Sequence, residues 1–466
     1  MIERQGTSHD SGTKTGDSDP QASASPLLTD LYQFNMLQAY IDRGMTSTAV
    51  FEFFIRKLPE HRNFLMAAGL EQALDFLEAL RFSAEDLEWL KSTGRFHKNL
   101  IDYLSTFRFS GHVHSVPEGT VIFENEPILR VTAPLPEAQL VETRLINVLH
   151  YQTLIASKAA RLVLAAPGRQ LVDFGLRRAH GADAGLMAAR ASYIAGFAGT
   201  ATMLAEMEFG IPTFGTMAHS YIEAHDSELE AFKEFALARP DNLTLLIDTY
   251  DCDAAAHKIV ALAPRLRERG VEIKAVRIDS GDLAALSRSV RRILDDGDLG
   301  DVTILVSGGL DEDQVTRLVE GGAPIDGFGL GTALTVSSDA PALDCAYKLQ
   351  EYAGRARRKR SVGKATWPGP KQVRRREMGG KIVGDTIGVD GEHQEGKALL
   401  IEVMAGGRRM TKLPSLTQIR RHAARQLEHL PQALRNLEHR ADYPVEISDL
   451  LSRLAAKVDA ELERHN

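Results

Sequence analysis

The sequence predicts an α/β protein: an irregular β/α barrel with an N-terminal α+β domain and a C-terminal helical and hairpin appendage. Three observations carry that prediction. Between residues 137 and 352, short apolar segments alternate with helical ones, which implies parallel strands joined by crossovers. Polar or glycine residues follow these segments: Asp173 and Arg177, His219, Asp248, Arg277 and Asp279, Ser307-Gly308-Gly309, Gly329 and Gly331. An open doubly wound sheet gathers its ligand at one crevice, so polar ends on six strands favour a closed or nearly closed barrel.

The elements follow in order. Residues 1–25 are rich in Ser, Gly, Asp and Thr without a hydrophobic centre, and read as a disordered tail and not as a signal or transit peptide. In the N-terminal domain, 26–136, Thr29-Asp30 can cap a helix whose apolar positions are Leu31, Phe34, Met36, Leu37 and Tyr40. Residues 48–55 form a β-rich run, 69–80 and 84–91 read as helices, and 107–134 as a small, mostly antiparallel sheet. In the barrel domain, 137–352, strands are expected at 170–174, 211–214, 243–247, 273–278, 303–306 and 325–328. Helices are expected at 182–207, 228–238, 253–269, 283–295 and 311–320. Six strands, where a full barrel has eight, make the barrel irregular. The appendage, 353–466, opens on a basic run at 355–360, continues through hairpins to Val389, ends in helices and is expected to pack on the N-terminal domain.

Composition narrows the function. A formal charge of −8 and a pI near 6.0 argue against nucleic acid as the main partner. On so acidic a chain the 355–360 run reads as a solvated loop or an anion-facing edge. Two cysteines, Cys252 and Cys345, exclude a disulfide framework and a cysteine-rich zinc site, and fit a reducing cytoplasm. No apolar run approaches the roughly 18 residues of a membrane span.

Four motifs and one histidine could carry chemistry. Gly327-Phe-Gly-Leu-Gly331-Thr332 at a strand end can cradle a phosphate, because glycine lets backbone N–H groups approach an anion; it is equally read as a tight turn. Ser307-Gly308-Gly309, one unit earlier, has the same character, and two such loops match the usual barrel phosphate site. Arg277 and Asp279, two apart on one strand, share a face: Arg suits phosphate and the carboxylate suits ribose hydroxyls or Mg²⁺, while a structural ion pair is the alternative. Phe174 followed by Arg177 and Arg178 suits a flat anionic ring, or is a core aromatic beside solvated arginines. His219 could act as a general base, a metal ligand or a phosphoryl acceptor, while a structural histidine is the alternative, as for most lone histidines. No partner stands at zinc-motif spacing, so no metal ligand is assigned.

Several longer motifs stand in order: Thr29-Asp-Leu-Tyr32-Gln-Phe-Asn-Met36, Asp173-Phe-Gly-Leu-Arg-Arg-Ala-His-Gly181, Ala191-Ser-Tyr-Ile-Ala-Gly-Phe-Ala-Gly-Thr200, Gly215-Thr-Met-Ala-His-Ser220, Arg277-Ile-Asp-Ser-Gly-Asp282, Gly327-Phe-Gly-Leu-Gly-Thr332 and, near 364–374, Lys-Ala-Thr-Trp-Pro-Gly-Pro-Lys-Gln-Val-Arg. From about Leu28 to Arg374 the chain resembles the nicotinate phosphoribosyltransferases. The resemblance implies that nicotinate, phosphoribosyl pyrophosphate and ATP, with Mg²⁺, give nicotinate mononucleotide, pyrophosphate, ADP and phosphate for NAD synthesis. It implies a transient phosphohistidine at His219. Tyr32 of a neighbouring subunit and Phe174 would sandwich the pyridine, with Arg177 on its carboxylate. Arg277 would hold the ribose 5-phosphate with Ser307, Gly308, Gly309, Gly329 and Gly331, and Asp279 the ribose hydroxyls, while Thr200 joins the substrate-binding set. A homodimer with its active site at the subunit interface follows.

A nicotinamide-using relative is the nearest alternative. Such relatives carry a carboxylate after the Gly-Thr pair, where this chain has Ala201; its absence and the extra Arg178 favour the acid. Nicotinate-using relatives more often have Ser there, so Ala201 forgoes a hydrogen bond. Quinolinate would demand a denser basic cluster. A non-catalytic barrel module would be expected to have lost its strand-end residues, yet His219, Arg277 and Asp279 are all present.

Overall fold

The computed structural model describes residues 25–465 except 411 and 439. Of the expected tail, 1–25, residues 1–24 lie outside the described residues.

Six parallel strands form the catalytic-domain sheet, in the order Gly199–Thr200, Gln170–Asp173, Gly327–Leu330, Thr303–Val306, Ile273–Ile278 and Leu243–Leu246. The sheet curls until its ends meet. Thr200 makes a parallel bridge to Thr213 beyond one edge, and the Thr216 hydroxyl donates to the Thr244 carbonyl on the other edge. A side chain thus spans the gap that a further strand would fill, and the barrel is irregular as expected. The crossover helices Glu228–Ala238, Cys252–Arg267, Leu283–Asp296 and Glu312–Glu320 begin on capping side chains from Ser227, Asp251, Asp282 and Asp311.

Three expectations change. The segment 211–214 contributes only its bridge at Thr213. The helix expected over 182–207 is two, Ala182–Ala195 and Met203–Phe209, with the Gly199–Thr200 strand between them. Gly196, at φ 130°, ends the first helix in a conformation other residues avoid, and a Cβ on Gly199 would stand 2.1 Å from the Pro212 carbonyl. The Ala-rich pattern concealed that break. Asp30 precedes the helix Leu31–Asp42 but makes no side-chain cap; its carboxylate accepts from the Thr143 hydroxyl at 2.8 Å instead.

A second, seven-stranded sheet is antiparallel throughout, in the order Arg355–Ala356, Cys345–Tyr352, Thr48–Ile55, Pro127–Pro134, His112–Ser115, Ile401–Ala405 and Arg408–Arg409. The sequence boundary at 352 therefore falls just after a strand that pairs with Thr48–Ile55. The expected hairpin, Lys371–Met378 with Lys381–Val389, forms a four-stranded sheet with Lys397–Ala398 and Val445–Ile447. Arg130 donates to the Lys371 carbonyl and pairs with Asp390 at 2.8 Å, tying the appendage to the N-terminal domain, while Arg420 donates to the Gly196 carbonyl of the catalytic domain. The basic run faces anions of its own chain: Arg358 and Arg360 pair with Asp459, and Arg360 with Glu463, on the last helix Asp449–His465. Among the described residues no helix is long and apolar enough to cross a membrane.

Candidate active site

The curl of the parallel sheet encloses an open cavity of about 700 Å³, lined by Phe174, Ala201, Phe214, Arg277, Ser307 and Gly329 among others. Four of these are residues singled out from the sequence. Interior positions recur every second residue along each strand, so Arg277 and Asp279 project from the same face of Ile273–Ile278 and its extension.

A hydrogen-bonded chain links them. Arg277 Nη2 donates to Asp279 Oδ1 at 2.8 Å and its Nε to the Ser307 hydroxyl at 2.9 Å, while that hydroxyl donates to Asp279. The guanidinium carbon lies 5.4 Å from the centroid of the Phe174 ring. Burial pushes the Asp279 carboxyl up, but the Ser307 hydrogen bond, the Arg277 charge and the nearby His219 outweigh it and hold it below its ordinary range. Asp279 is therefore ionised at neutral pH. Its Oδ2 lies 3.9 Å from His219 Nε2.

His219 opens the short helix His219–Glu223 and its side chain is 39% exposed. Its Nδ1 is 3.1 Å from the Thr249 hydroxyl, which leaves Nε2 facing the mouth. The loops carrying Phe174, His219, Arg277 and Gly329 therefore converge.

The glycines sit where side chains cannot. Gly308 and Gly309 have φ of 102° and 67°, and a Cβ on Gly308 would lie 2.0 Å from the Asp279 carbonyl. A Cβ on Gly329 would strike the Phe174 ring at 2.5 Å, so this glycine seats the ring. Gly331 precedes the helix Thr332–Thr335 and faces the Phe174 carbonyl.

Four expected residues stand apart. The Thr200 hydroxyl is buried and donates to Asp173 Oδ2 at 2.7 Å, so it organises the loop after Gln170–Asp173. Arg177 and Arg178 lie on a 3₁₀ turn, Leu176–Arg178, exposed, their guanidinium groups without an ion pair or hydrogen bond among the described residues. Tyr32 is 46% exposed on the helix Leu31–Asp42, pointing out of this protomer's N-terminal domain.

Two groups gained a place that sequence reasoning did not give them. Asp248 Oδ2 accepts from the Asp279 backbone N–H at 2.9 Å and the Ser280 hydroxyl at 2.7 Å, while its Oδ1 is buried with no hydrogen-bond partner. Its position at a strand end, directly before Thr249, was the available signal. Phe214 lines the cavity as a second aromatic and packs where a Cβ on Gly199 would fall.

Comparison with known proteins settles the family. The nicotinate phosphoribosyltransferase N-terminal domain matches residues 27–150, the nicotinate phosphoribosyltransferase family 169–361, and the corresponding C-terminal domain 382–455. The chain belongs to the nicotinate phosphoribosyltransferase family. It is 50% identical over 425 residues to a nicotinate phosphoribosyltransferase of Mycobacterium tuberculosis strain H37Rv, covering 91% of each chain. It is 31% identical to the Bos taurus nicotinate phosphoribosyltransferase, covering 95% of this chain and 98% of that one. The crystal structure of human nicotinic acid phosphoribosyltransferase superposes with a TM-score of 0.83 at 28% identity, over 93% of this chain and 99% of that one. As a nicotinate phosphoribosyltransferase, the chain is an enzyme of NAD synthesis.

Proposed function

We propose that this cavity transfers 5-phosphoribosyl from phosphoribosyl pyrophosphate to nicotinate, coupled to ATP hydrolysis through transient phosphorylation of His219. The observation that carries the reading is that Phe174 and Arg277 line one cavity, that Arg277 and Ser307 hold Asp279, and that Asp279 lies 3.9 Å from His219. The ionisable residues lining that cavity are Arg239, Lys274 and Arg277 against Asp241, a balance that suits anionic ligands.

Nicotinate lies on the Phe174 ring, with its carboxylate taken by Arg177, whose guanidinium is exposed and has no partner among the described residues. Ala201 places no carboxylate in the cavity to repel it. The ribose 5-phosphate is held by Arg277 and the backbone of Ser307–Gly309 and Gly329–Gly331, and the ribose hydroxyls by Asp279. The pyridine nitrogen forms a bond to ribose C1 as the C1–O bond to pyrophosphate breaks, and positive charge develops on the sugar between these events. The ionised Asp279 stabilises that charge, and alignment of ring and sugar supplies the rest. Asp248 and Asp279 fit a Mg²⁺ that is carried mainly by the diphosphate, because the described residues offer no cluster of three acidic, His or Cys ligands. Such a cation would neutralise charge on the leaving pyrophosphate.

For the ATP step, a proton on Nδ1 directed at the Thr249 oxygen leaves the Nε2 lone pair free to accept the γ-phosphoryl group, with ADP departing. Hydrolysis of the phosphohistidine then returns phosphate and free His219. The dimer expected from the resemblance would bring Tyr32 of the partner subunit over the ring; the exposure of Tyr32, Leu28, Leu31, Met203 and Met207 supports such a contact. Both cysteines are free, which supports a cytoplasmic setting.

One assay tests the reading: turnover of nicotinate, nicotinamide and quinolinate, each with and without ATP, for the wild type and His219→Ala. The expected result is nicotinate turnover raised by ATP in the wild type, with the ATP gain abolished and the fold intact in His219→Ala. ATP stimulation that survives in the variant would exclude the phosphohistidine, and preferred use of nicotinamide would overturn the substrate.

A further inference from the structure

Behind the two glycine loops lies a buried cluster of five charged side chains. The helix Glu142–Ala165 supplies Lys158 and Arg161, one turn apart and on one face. Glu312 opens the helix that follows Ser307-Gly308-Gly309, and Asp339 lies just beyond the helix that follows Gly331. Arg62 enters from the N-terminal domain. Side-chain exposure is 0% for Arg62, 1% for Lys158, 7% for Arg161, 4% for Glu312 and 15% for Asp339.

The wiring is selective. Arg161 Nε holds Glu312 at 2.8 Å and serves no other carboxylate. Arg62 holds Asp339 at 2.9 and 3.0 Å, and donates to the hydroxyl of Ser337, a non-glycine residue at φ 46°. Among the described residues Lys158 alone touches both acids, pairing with Glu312 and lying 3.0 Å from Asp339. Each loop thus has its private cation, and one lysine joins the two loops. Farther along the same helix, Tyr151 donates to the Thr335 carbonyl at 3.3 Å and to the Ala184 carbonyl at 2.9 Å. One helix therefore backs the Gly308, Gly331 and Phe174 loops from the side away from the cavity.

We propose that Lys158 is a positioning residue for the sugar-phosphate substrate: its link between Glu312 and Asp339 sets the spacing of the two glycine loops, and so their grip on phosphoribosyl pyrophosphate. This rests on the assignment of that substrate to those loops. A mobile ammonium at the surface would contribute little, but a buried one held by two carboxylates fixes both. Backbone N–H groups bind phosphate well only when they converge, and a displacement of about 1 Å in such a site can cost on the order of a hundredfold.

The wiring also makes the test clean. Lys158→Met removes the link yet leaves Glu312 with Arg161 and Asp339 with Arg62, so no buried carboxylate is orphaned. The measurements are steady-state KM for each substrate and direct calorimetric binding of phosphoribosyl pyrophosphate. The expected result is a KM for phosphoribosyl pyrophosphate raised about tenfold or more, a KM for nicotinate changed less than about twofold, and a matching loss in calorimetric affinity. The ratio of variant to wild-type affinity should hold from about 0.05 to 0.5 M salt, because a positioning effect is unscreened whereas a long-range field is not. A melting-temperature drop with both KM values unchanged would make Lys158 merely structural and overturn the proposal, as would an equal rise in both. If Lys158→Met fails to fold, Glu312→Gln carries the same test, weakening the link from its other end, with the same expected split. Failure of the wild type to bind phosphoribosyl pyrophosphate would instead refute the underlying substrate assignment.

Discussion

The parallel sheet takes all of its strands from residues 170–330, whereas the seven-stranded sheet pairs Thr48–Ile55 with Cys345–Tyr352 and His112–Ser115 with Ile401–Ala405. In the first, each strand is followed by a loop and a crossover helix, so every strand end is free to carry a different side chain to the mouth. In the second, pairing residues are some 300 positions apart, loop closure is costly, and nothing polar need be presented. Charges in the two regions behave accordingly. At the mouth, Asp279 and His219 are part-exposed and reach one another loosely at 3.9 Å. Under the antiparallel sheet, Glu52 and Lys371 are buried and pair at 2.7 Å, with Lys371 Nζ also donating to the carbonyls of Trp367 and Gly369. The mouth keeps its charges within reach of a ligand, and the pair under the antiparallel sheet is shut away from one.

Breaking one charge pair in each region should separate the two roles. The largest effect on stability is expected for Lys371→Met, which removes the ammonium paired with the buried Glu52 carboxylate and leaves it the backbone N–H of residue 371. Removing one partner of a buried pair costs about 3–5 kcal/mol. Chemical denaturation should show that loss while KM for both substrates stays unchanged in the folded fraction. A loss below about 1 kcal/mol, or a selective change in KM, would erase the distinction between the regions.

Arg277→Ala should do the reverse. An Arg–phosphate contact contributes about 1.5–3 kcal/mol, so the KM for phosphoribosyl pyrophosphate should rise roughly ten- to hundredfold. Nicotinate KM should change much less, since Phe174 keeps its seat on Gly329. The denaturation midpoint should move little, because Asp279 retains its hydrogen bond from Ser307. Equal changes in the two KM values would make Arg277 a brace for the whole cavity and not a phosphate ligand.

The same contrast explains what the sequence revealed. Strands such as Ile273–Ile278 and helices such as Glu228–Ala238 were legible because their periodicity and caps are local. So were Phe174, Arg277, Asp279, Ser307 and His219, each of which announces itself as a polar or aromatic residue after an apolar segment. The partners of Thr48–Ile55 were not, because a strand's pattern records which face is buried and not which segment lies beside it. Gly199–Thr200 escaped because two residues are too short for a period and an Ala-rich helix precedes them. Lys158 carries no local signal, since its significance depends on Glu312 and Asp339, over 150 positions away. The bond from the Thr200 hydroxyl to Asp173 was not legible either, since it joins two strands 27 positions apart.

Asp173 gives the finest test of the comparison, because it lies in the active-site sheet yet is buried like a residue of the other. Burial pushes its carboxyl up to about 6 from an ordinary 3.8, against the hydrogen bonds from the Thr200 hydroxyl and the Gly175 N–H that favour the ion. The folded state therefore holds this proton more tightly than the unfolded chain. Below about pH 3.8 both states are protonated and the group costs nothing. Between 3.8 and 6 the unfolded chain releases its proton first, so stability falls as pH rises, and above 6 the penalty is constant. Asp173→Asn, which keeps an oxygen for the Gly175 N–H, should thus gain on the wild type by on the order of 1–2 kcal/mol at pH 7 and little at pH 4. The gain should develop across that window in urea titrations. A difference independent of pH would mean that Asp173 is solvated like the groups at the mouth, and that the two regions do not divide at the Gln170–Asp173 strand.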